Sequence, residues 1–347
     1  MIRILVATDA WRPQVNGVVH TLERMSAAAR ELDAEFVFLT PQGFASLPLP
    51  TYPDIRLALA PPWEVSRRID AAAADHIHIA TEGPIGWAAR RHCRKRGRLF
   101  TTSYHTRFPE YIAARTRLPE AVSYEALRRF HAPAAATLAP TLSIRNELTR
   151  RGFEKVKVWT RGVDHGLYRP RPRDALDLPR PIFLSVGRVA VEKNLEALLQ
   201  LKLPGSVVVV GEGPARVGLE RRFPHAHFLG ALHGEALARV YASADVFVFP
   251  SKTDTFGIVL VEALASGVPV AAYPVAGPLD VIGESGAGAL NDDLGAACFA
   301  ALEIPREKAR EHSLRFTWRE SARQFLENIE GSRAARAAPA RAAELVA

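Results

Sequence analysis

Two carboxylates in one strand–loop–helix segment are the first candidates for chemistry. Asp254 lies in a short polar loop after the apolar strand Val246–Phe249, and Glu262 follows eight positions later within a helical pattern that starts at Gly257. Backbone N–H groups at a helix start bind anions, because they have no partner within the helix. The segment therefore predicts an anion site beside Asp254, while Glu262 either faces a ligand or is buried and paired.

Two cations follow an earlier apolar strand, Ile182–Val186. Arg188 and Lys193 flank a predicted helix start directly after this strand. Two fixed cations beside a helix N-terminus would neutralise a diphosphate well. The alternative is that Glu192 caps the helix and that both cations are solvated.

Polar loops of a similar kind follow strands in the N-terminal half. Gly17 opens a helix after the first strand and its loop, which fits either an anion site or only a tight turn. His105 directly follows another strand, within a loop at 104–111 that also holds Thr, Arg and Tyr. Catalytic residues collect at such strand ends, so His105 and the loop at 81–84 are further candidates.

Strands and helices alternate along the chain, which indicates an α/β fold with parallel sheets and helices on both faces. The other predicted strands are 2–7, 35–39, 55–59, 75–80, 99–103, 134–139, 206–210 and 268–272. The predicted helices outside the first segment include 17–32, 141–151 with Thr141 as its cap, and 317–330. A Pro-rich stretch at 168–181 predicts a linker, so the chain should form two doubly wound domains.

Length and composition set limits on the class of protein. A chain of 347 residues with 48% hydrophobic content can form two ordinary cores. The sequence has no apolar run of about 18 residues, and its first strand lacks the apolar region of a secretion signal. Cys93 and Cys298 offer no disulfide framework and no metal cluster, which favours a reducing cytoplasm.

The positive charge is concentrated in the first half. Residues 1–166 hold 24 Lys and Arg against 16 Asp and Glu, which accounts for the whole net charge of +8. The densest basic run is 90–98, and Arg128 and Arg129 add to it. These residues either contact anionic lipid headgroups or form a solvated surface.

The segment at 245–270, DVFVFPSKTDTFGIVLVEALASGVPV, resembles the acid-x7-acid signature of retaining glycosyltransferases of family 4. Asp254 stands where that family usually has Glu. Lipid mannosyltransferases and sulfoquinovosyl or glucosyl lipid synthases carry the same T-D-T-F-G wording. The N-G-V-V at 16–19, S-Y-H-T at 103–106, G-V-D at 162–164 and G-R-x-x-x-E-K at 187–193 are also similar to family motifs, and the resemblance covers about residues 1–330.

The resemblance implies a GT-B fold, in which two Rossmann-like domains face a cleft and a C-terminal helix returns to the first domain. The expected parts are an acceptor-side domain at 1–166, a linker at 167–180, a nucleotide-sugar domain at 181–314 and the returning helix at 315–331. The implied catalytic residues are His105, Asp254, Arg188 and Lys193. The implied donor-binding residues are Gly17, Arg188, Lys193, Gly211, Leu232, Asp254, Thr255, Phe256, Gly257, Ile258 and Glu262. The implied acceptor-side residues are Asn16, Glu82, Tyr104, Arg107 and Tyr111.

The implied reaction moves a hexosyl unit from a UDP-sugar or GDP-mannose to a membrane lipid such as diacylglycerol. The protein should act without cofactor or metal, since no D-x-D occurs in the chain, and should bind no nucleic acid. It should lie in the cytoplasm or on the inner face of the membrane. A soluble or polysaccharide acceptor, a sugar-nucleotide epimerase of the same fold and a catalytically silent sugar-nucleotide-binding protein are the alternatives. The oligomeric state stays open.

Overall fold

The computed structural model describes residues 1–12, 16–49, 52–113, 116 and 119–344. The chain forms two compact units, one of Met1–Thr160 with Trp318–Ala347 and one of Arg161–Thr317. The segment at 161–180, where we expected the end of the first domain and the linker, groups with the second unit. Its arginines explain this, because Arg171 binds Glu235 and Arg180 donates to Asp245 at 2.9 Å.

The first unit contains a six-stranded parallel sheet and a separate two-stranded sheet. The strands, in chain order, are β1 (Ile2–Ala7), β2 (Ala34–Leu39), β3 (Ser46–Leu49), β4 (Tyr52–Ala58), β5 (His76–Ile79), β6 (Phe100–Ser103), β7 (Thr137–Ala139) and β8 (Val156–Val158). The order in the main sheet is β2-β1-β5-β6-β7-β8. The order therefore reverses at β1, so the loops after β1 and β5 flank the point at which ligands bind in doubly wound folds.

The helices of the first unit cover the sheet. They are α1 (Gly17–Arg30), α2 (Pro62–Ala71), α3 (Pro84–Lys95), α4 (Phe108–Ala113), α5 (Glu120–His131), α6 (Leu142–Arg150) and, at the end of the chain, α14 (Trp318–Glu344). Thr141 caps α6 as predicted, since its hydroxyl accepts from the Ile144 N–H. The long helix α14 extends past the predicted end at 330, and its Phe325 packs on Phe36 and Trp159.

One strand prediction in this unit is wrong. The strand expected at 55–59 does not join the parallel sheet, because β4 pairs antiparallel with β3 in a hairpin of its own. Strand β3 was not predicted at all. Both strands contain proline, which weakens the alternating pattern that identifies strands.

The second unit contains a six-stranded parallel sheet of regular doubly wound order. Its strands are β9 (Ile182–Val186), β10 (Ser206–Val210), β11 (His227–Phe228), β12 (Val246–Phe249), β13 (Val270–Ala272) and β14 (Gly288–Leu290). The order is β11-β10-β9-β12-β13-β14, so it reverses between β9 and β12. Two loops, at 187–193 and 250–257, follow these two strands, and we call them the site loops.

Helices cover both faces of the second sheet. They are α7 (Leu195–Leu199), α8 (Arg216–Arg222), α9 (Gly234–Ser243), α10 (Ile258–Ala265), α11 (Ala276–Val281), α12 (Leu294–Leu302) and α13 (Arg306–Ser313). Alternate strand residues enter different cores: Leu184 packs in one and Phe183 in the other. Burial on both faces explains why the strands read as continuous apolar runs.

Candidate functional site

The site loops bring together a lysine and an aspartate that are 61 positions apart. The Lys193 Nζ donates to the Asp254 Oδ1 at 2.5 Å, with the two side chains 25% and 17% exposed. Arg188 is half-buried in the first site loop. Three of the four predicted catalytic residues therefore lie in the loops at the switch point of the second sheet.

The second carboxylate oxygen of Asp254 is the most informative atom of the site. Among the residues that the structure describes, Oδ2 is buried and has no hydrogen-bond partner. Buried polar atoms in folded proteins normally have a partner, so an exception in a loop at a sheet switch point calls for an explanation. A ligand hydroxyl that donates to this oxygen would supply the missing partner.

Backbone contacts hold the two site loops against each other. The hydroxyls of Ser251 and Thr253 donate to the Glu192 carbonyl at 3.4 and 3.3 Å. Asn194 has a left-handed backbone conformation, and its side-chain amide donates to the Pro250 carbonyl at 3.1 Å. The Glu192 carbonyl therefore has a structural role, and α7 begins without a side-chain cap.

Glycines allow the loop after β9 to pack on the loop after β10. A Cβ on Gly211 would stand 1.9 Å from the Gly187 oxygen, and one on Gly213 would stand 2.3 Å from the Val189 oxygen. The φ angles of Gly211 and Gly213 are +144° and +157°, which side chains disfavour. Gly211, which was predicted to bind the donor, thus allows the first site loop to pack closely on the loop after β10.

The second site loop leads into α10, whose first turn carries no side-chain cap and no acid. Gly257 has a φ of +81° and precedes Ile258, the first helical residue. Phe256 is buried, and its carbonyl lies 2.8 Å from where a Cβ on Gly277 would stand. The backbone N–H groups of this turn are therefore directed out of the helix start, as an anion site requires.

Glu262 lies in α10, with its side chain 7% exposed. The Tyr241 hydroxyl donates to its Oε2 at 2.9 Å, and Tyr241 is fully buried in the core. Burial raises the pKa of Tyr241 well above its usual value, so the hydroxyl keeps its proton and acts as a donor. Thr255 is also buried, and the half-buried Leu232 packs on this core.

In the first unit, the switch point is occupied by a buried acid that the sequence did not single out as a site residue. Asp9 accepts from the N–H groups of Ile85 and Gly86 at 2.9 and 3.2 Å, and from the Thr81 hydroxyl at 2.9 Å. Burial, the largest effect, raises the pKa of Asp9, although these donors act in the opposite direction. Gly83 leaves no room for a side chain, since its Cβ would stand 2.4 Å from the Asp9 carboxyl carbon.

The predicted acceptor-side residues near this point have structural partners. Asn16 caps α1, with its side-chain oxygen accepting from the N–H groups of Val18 and Val19 at 3.0 Å. Gly17 follows as the exposed first residue of the helix. The Glu82 carboxylate lies 3.2 Å from the His131 ring, in a side-chain contact that is almost fully buried.

The loop after β6 is packed against neighbouring helices. Tyr104 is 1% exposed, and its hydroxyl lies 3.5 Å from that of Tyr124 in α5. Arg107 donates to Glu110 at 3.2 Å and to Glu147 at 2.6 Å, which makes it part of a partly buried ion-pair network. Both residues therefore have partners within the first unit, and their acceptor-side roles stay predictions.

His105 and Tyr111 remain half-buried in the same region. The His105 ring meets Trp159 edge-on at 5.7 Å between centroids. An imidazole held against an indole has a defined orientation, which suits a residue that must contact a substrate.

Comparison with known proteins identifies the family. A model described as "Glycosyltransferase Family 4" matches residues 15–167, and one described as "Glycosyl transferases group 1" matches residues 170–301. A GDP-mannose-dependent alpha-mannosyltransferase of Mycobacterium tuberculosis is 31% identical, over 81% of this chain and 81% of its own length. The chain belongs to glycosyltransferase family 4.

Other family 4 relatives agree with the subset that the motifs indicated. Sulfoquinovosyl transferase SQD2 of Arabidopsis thaliana is 32% identical over 80% of this chain, which spans 60% of the plant protein. Alpha-monoglucosyldiacylglycerol synthase of Streptococcus pneumoniae is 27% identical over 90% of this chain and 81% of its length. Asp254, at the position where the family usually has Glu, therefore occurs in a chain whose relatives include this subset.

Solved structures confirm the GT-B fold predicted for this family 4 chain. Sucrose-phosphate synthase from Thermosynechococcus elongatus has a TM-score of 0.77 at 20% identity, over 96% of this chain and 100% of that one. The Anabaena protein HepE in complex with UDP and glucose has a TM-score of 0.73 at 17% identity, over 95% and 100%. Within the described residues, no helix is both long and apolar enough to cross a bilayer.

Proposed function

We propose that this family 4 glycosyltransferase moves a hexosyl unit from a nucleotide-diphosphate sugar to a lipid acceptor, with retention at the anomeric carbon and without a metal ion. The observation that carries the proposal is the Lys193–Asp254 contact, which leaves a buried Asp254 oxygen without a partner. A carboxylate held by a lysine beside a helix start fits a sugar hydroxyl next to a diphosphate.

The proposed roles follow from the chemistry of each group. Arg188, Lys193 and the first turn of α10 bind the diphosphate and stabilise its charge as it leaves. Charge stabilisation of this kind is usually the largest contribution to catalysis, and here it is supplied by fixed protein groups instead of a metal. Asp254 orients the sugar by accepting hydrogen bonds from the sugar hydroxyls. Glu262 binds the ribose hydroxyls, with its carboxylate held by the Tyr241 hydroxyl.

The lipid acceptor is proposed from two supports. The names of SQD2 and alpha-monoglucosyldiacylglycerol synthase describe glycolipid chemistry. The first half of this chain also carries the whole excess of positive charge. Diacylglycerol or a phosphoinositide-like lipid fits these supports, with His105 and the loops after β1 and β5 on the acceptor side. A soluble or polysaccharide acceptor is the alternative outcome.

Two isosteric substitutions test the donor roles. Asp254→Asn should lower turnover by about 10²–10³-fold while nucleotide affinity changes little, because it removes an acceptor of sugar hydroxyls. Glu262→Gln should instead weaken binding of both the donor and the free nucleoside diphosphate, because the ribose is common to the two. Initial rates and calorimetric titration of UDP and GDP measure both effects, and the reverse pattern would show that the roles are exchanged.

The reaction itself is tested with radiolabelled UDP-glucose, UDP-sulfoquinovose and GDP-mannose. Each donor is incubated with the protein and either a total lipid extract or a mixture of soluble sugars. Label in the organic phase supports the lipid acceptor, and label only in soluble glycosides refutes it. Release of an epimeric sugar nucleotide without any acceptor would favour an epimerase instead.

A further inference from the structure

The basic run at 90–98 divides into cations that are used within the fold and cations that are not. Arg90 donates to the carbonyls of Phe130 and Arg129 at 2.8 and 2.7 Å, and Arg98 donates to that of Ala74. Arg96 lies 3.5 Å from Asp70. These three arginines hold elements of the first unit together.

The pair at 128–129, expected to add to a lipid-binding surface, is also used within the fold. Arg128 and Arg129 both bind Glu125, at 2.8 and 2.7 Å. Trp11, an aromatic residue of the same half, packs on Phe38 with 4.5 Å between ring centroids. Local ion pairs and packing therefore engage these side chains within the fold.

Three exposed cations remain on α3. In the described part of the chain, Arg91, Arg94 and Lys95 form no ion pair, and all three are exposed. They follow Trp87 at intervals of three or four residues, so the four side chains share one face of the helix. Unlike the rest of the run, these cations are available to a partner.

The same face borders a surface cavity of about 660 Å³ between α3 and the start of α2. The residues that line it include Arg91, Arg94, Lys95 and Trp87 of α3 and Pro62 at the start of α2. No acidic residue lines it. The nearest acid along α2, Glu64, is bound by Arg67 and Arg68. The cavity therefore combines apolar walls with uncompensated positive charge, which suits a phosphate group carried on an apolar body.

Large exposed apolar side chains occur among the residues that line the cavity or next to them in sequence. Trp63 is 70% exposed at the start of α2, Leu59 is 53% exposed just before it, and Trp87 is 43% exposed. Exposed indole rings next to cations are typical of surfaces that meet the interface of a bilayer. A soluble phosphate compound would use the cations but would leave Trp63 and Leu59 in water.

We propose that the α2–α3 face, formed by Trp63, Trp87, Arg91, Arg94 and Lys95, docks on a bilayer and binds the phosphate of an anionic phospholipid in its cavity. The proposal rests on the proposed function in one respect: a lipid acceptor requires the enzyme to reach a membrane. In this proposal the α3 cations bind the phospholipid, and it is not the acceptor, which is assigned to His105 and the loops after β1 and β5.

The test is flotation of the full-length protein with vesicles of phosphatidylcholine, alone or with 30% phosphatidylglycerol, and no donor sugar. The wild type should bind only the anionic vesicles, and binding should weaken from 0.1 to 1 M salt as the Debye length falls from about 10 to about 3 Å. Replacing Arg91, Arg94 and Lys95 by Gln should reduce vesicle affinity on the order of a hundredfold, about fivefold per cation.

Matched variants separate this face from general charge. The control triple Arg30→Gln, Arg145→Gln and Arg150→Gln removes the same charge from exposed positions of the same unit and should bind almost as well as the wild type. Equal losses in both triples would overturn the site. Trp63→Ser should weaken binding, whereas Phe299→Ser, at an equally apolar exposed position of the second unit, should not.

Competition identifies the ligand. Inorganic phosphate or glycerol phosphate at 10 mM should not displace the protein from anionic vesicles; displacement would refute the bilayer in favour of a free phosphate ligand. Hydrolysis of the donor sugar nucleotide in water, measured in parallel, should be unchanged in the α3 triple. A wild type that hydrolyses the donor normally but does not bind anionic vesicles would refute this surface while leaving the proposed transferase activity intact.

Discussion

Replacing Lys193 by Met tests whether the lysine both holds Asp254 and takes part in the reaction. The variant keeps the length of the apolar stem and removes the charge that lies 2.5 Å from Asp254 Oδ1. Hydrogen bonds to charged groups contribute about 1.5–3 kcal/mol to stability. Because the two side chains are still 25% and 17% exposed, we expect the low end, about 1.5 kcal/mol.

A double-mutant cycle isolates that value. The free energy of unfolding is measured by urea titration, followed by circular dichroism, for the wild type, Lys193→Met, Asp254→Asn and the double variant. If the pair forms in solution, the double variant should lose about 1.5 kcal/mol less than the sum of the single variants. Turnover of Lys193→Met should fall about 10²–10³-fold, because in the proposed mechanism the cation also stabilises the leaving diphosphate.

Lys252 is the matched control for this prediction. It lies in the second site loop with Asp254, is exposed, and stands over the Tyr273 ring at 4.2 Å from the centroid. Lys252→Met should change turnover less than threefold. A coupling energy near zero would mean that the Lys193–Asp254 contact does not form in solution, and unchanged turnover would exclude Lys193 from the reaction.

Three further outcomes are expected. Gly211→Ala should destabilise the protein by more than about 2 kcal/mol in urea titration, since its Cβ would stand 1.9 Å from a backbone oxygen, whereas Gly218→Ala, at an open helical position, should be neutral or slightly stabilising. Burial lowers the pKa of His76 to about 3, below its ordinary value of 6.5, so its contribution to stability is full above pH 6.5 and is lost as the pH falls toward 3. The free energy of unfolding should therefore fall by up to about 1.4 kcal/mol per pH unit in this range. His76→Gln should remove this pH dependence in urea titrations between about pH 6.5 and 4.5. Transferase activity should survive EDTA, and a complete loss that magnesium or manganese restores would contradict the assignment of charge neutralisation to protein cations.

The features that sequence predicted well are those in which local pattern and burial agree. Strand β12 and helix α10 were predicted from their apolar residues, and both lie buried inside the doubly wound core. Arg188, Lys193 and Asp254, the proposed donor residues, were singled out because short motifs hold them at the ends of strands. Their meeting in space then follows from strand order.

The side chains that sequence could not place are those whose partners are distant or were overlooked. Tyr104 and Arg107 were assigned to the acceptor side; in the fold, Tyr124 of α5 and Glu147 of α6 hold them, and the local sequence indicates only Glu110 as a neighbour of Arg107. The pairing of Arg128 with Glu125 could have been predicted, since the two stand three positions apart on one helix. Asp9 could have been suspected as an acid directly after a strand, but its caps on α3 depend on the fold.

The first unit consists of two segments that are far apart in the chain, and this affects the order in which the protein folds. Its sheet is packed by α14, where Phe325 meets Trp159 and the Ser321 hydroxyl accepts from the Trp159 ring N–H at 3.1 Å. A ribosome releases residues 161–317 before it releases this helix, so the second unit can complete its core while the first still exposes the apolar surface that α14 will cover. The unit that begins the chain therefore finishes folding last, and a fragment cut at residue 160 would be an aggregation-prone intermediate and not a domain.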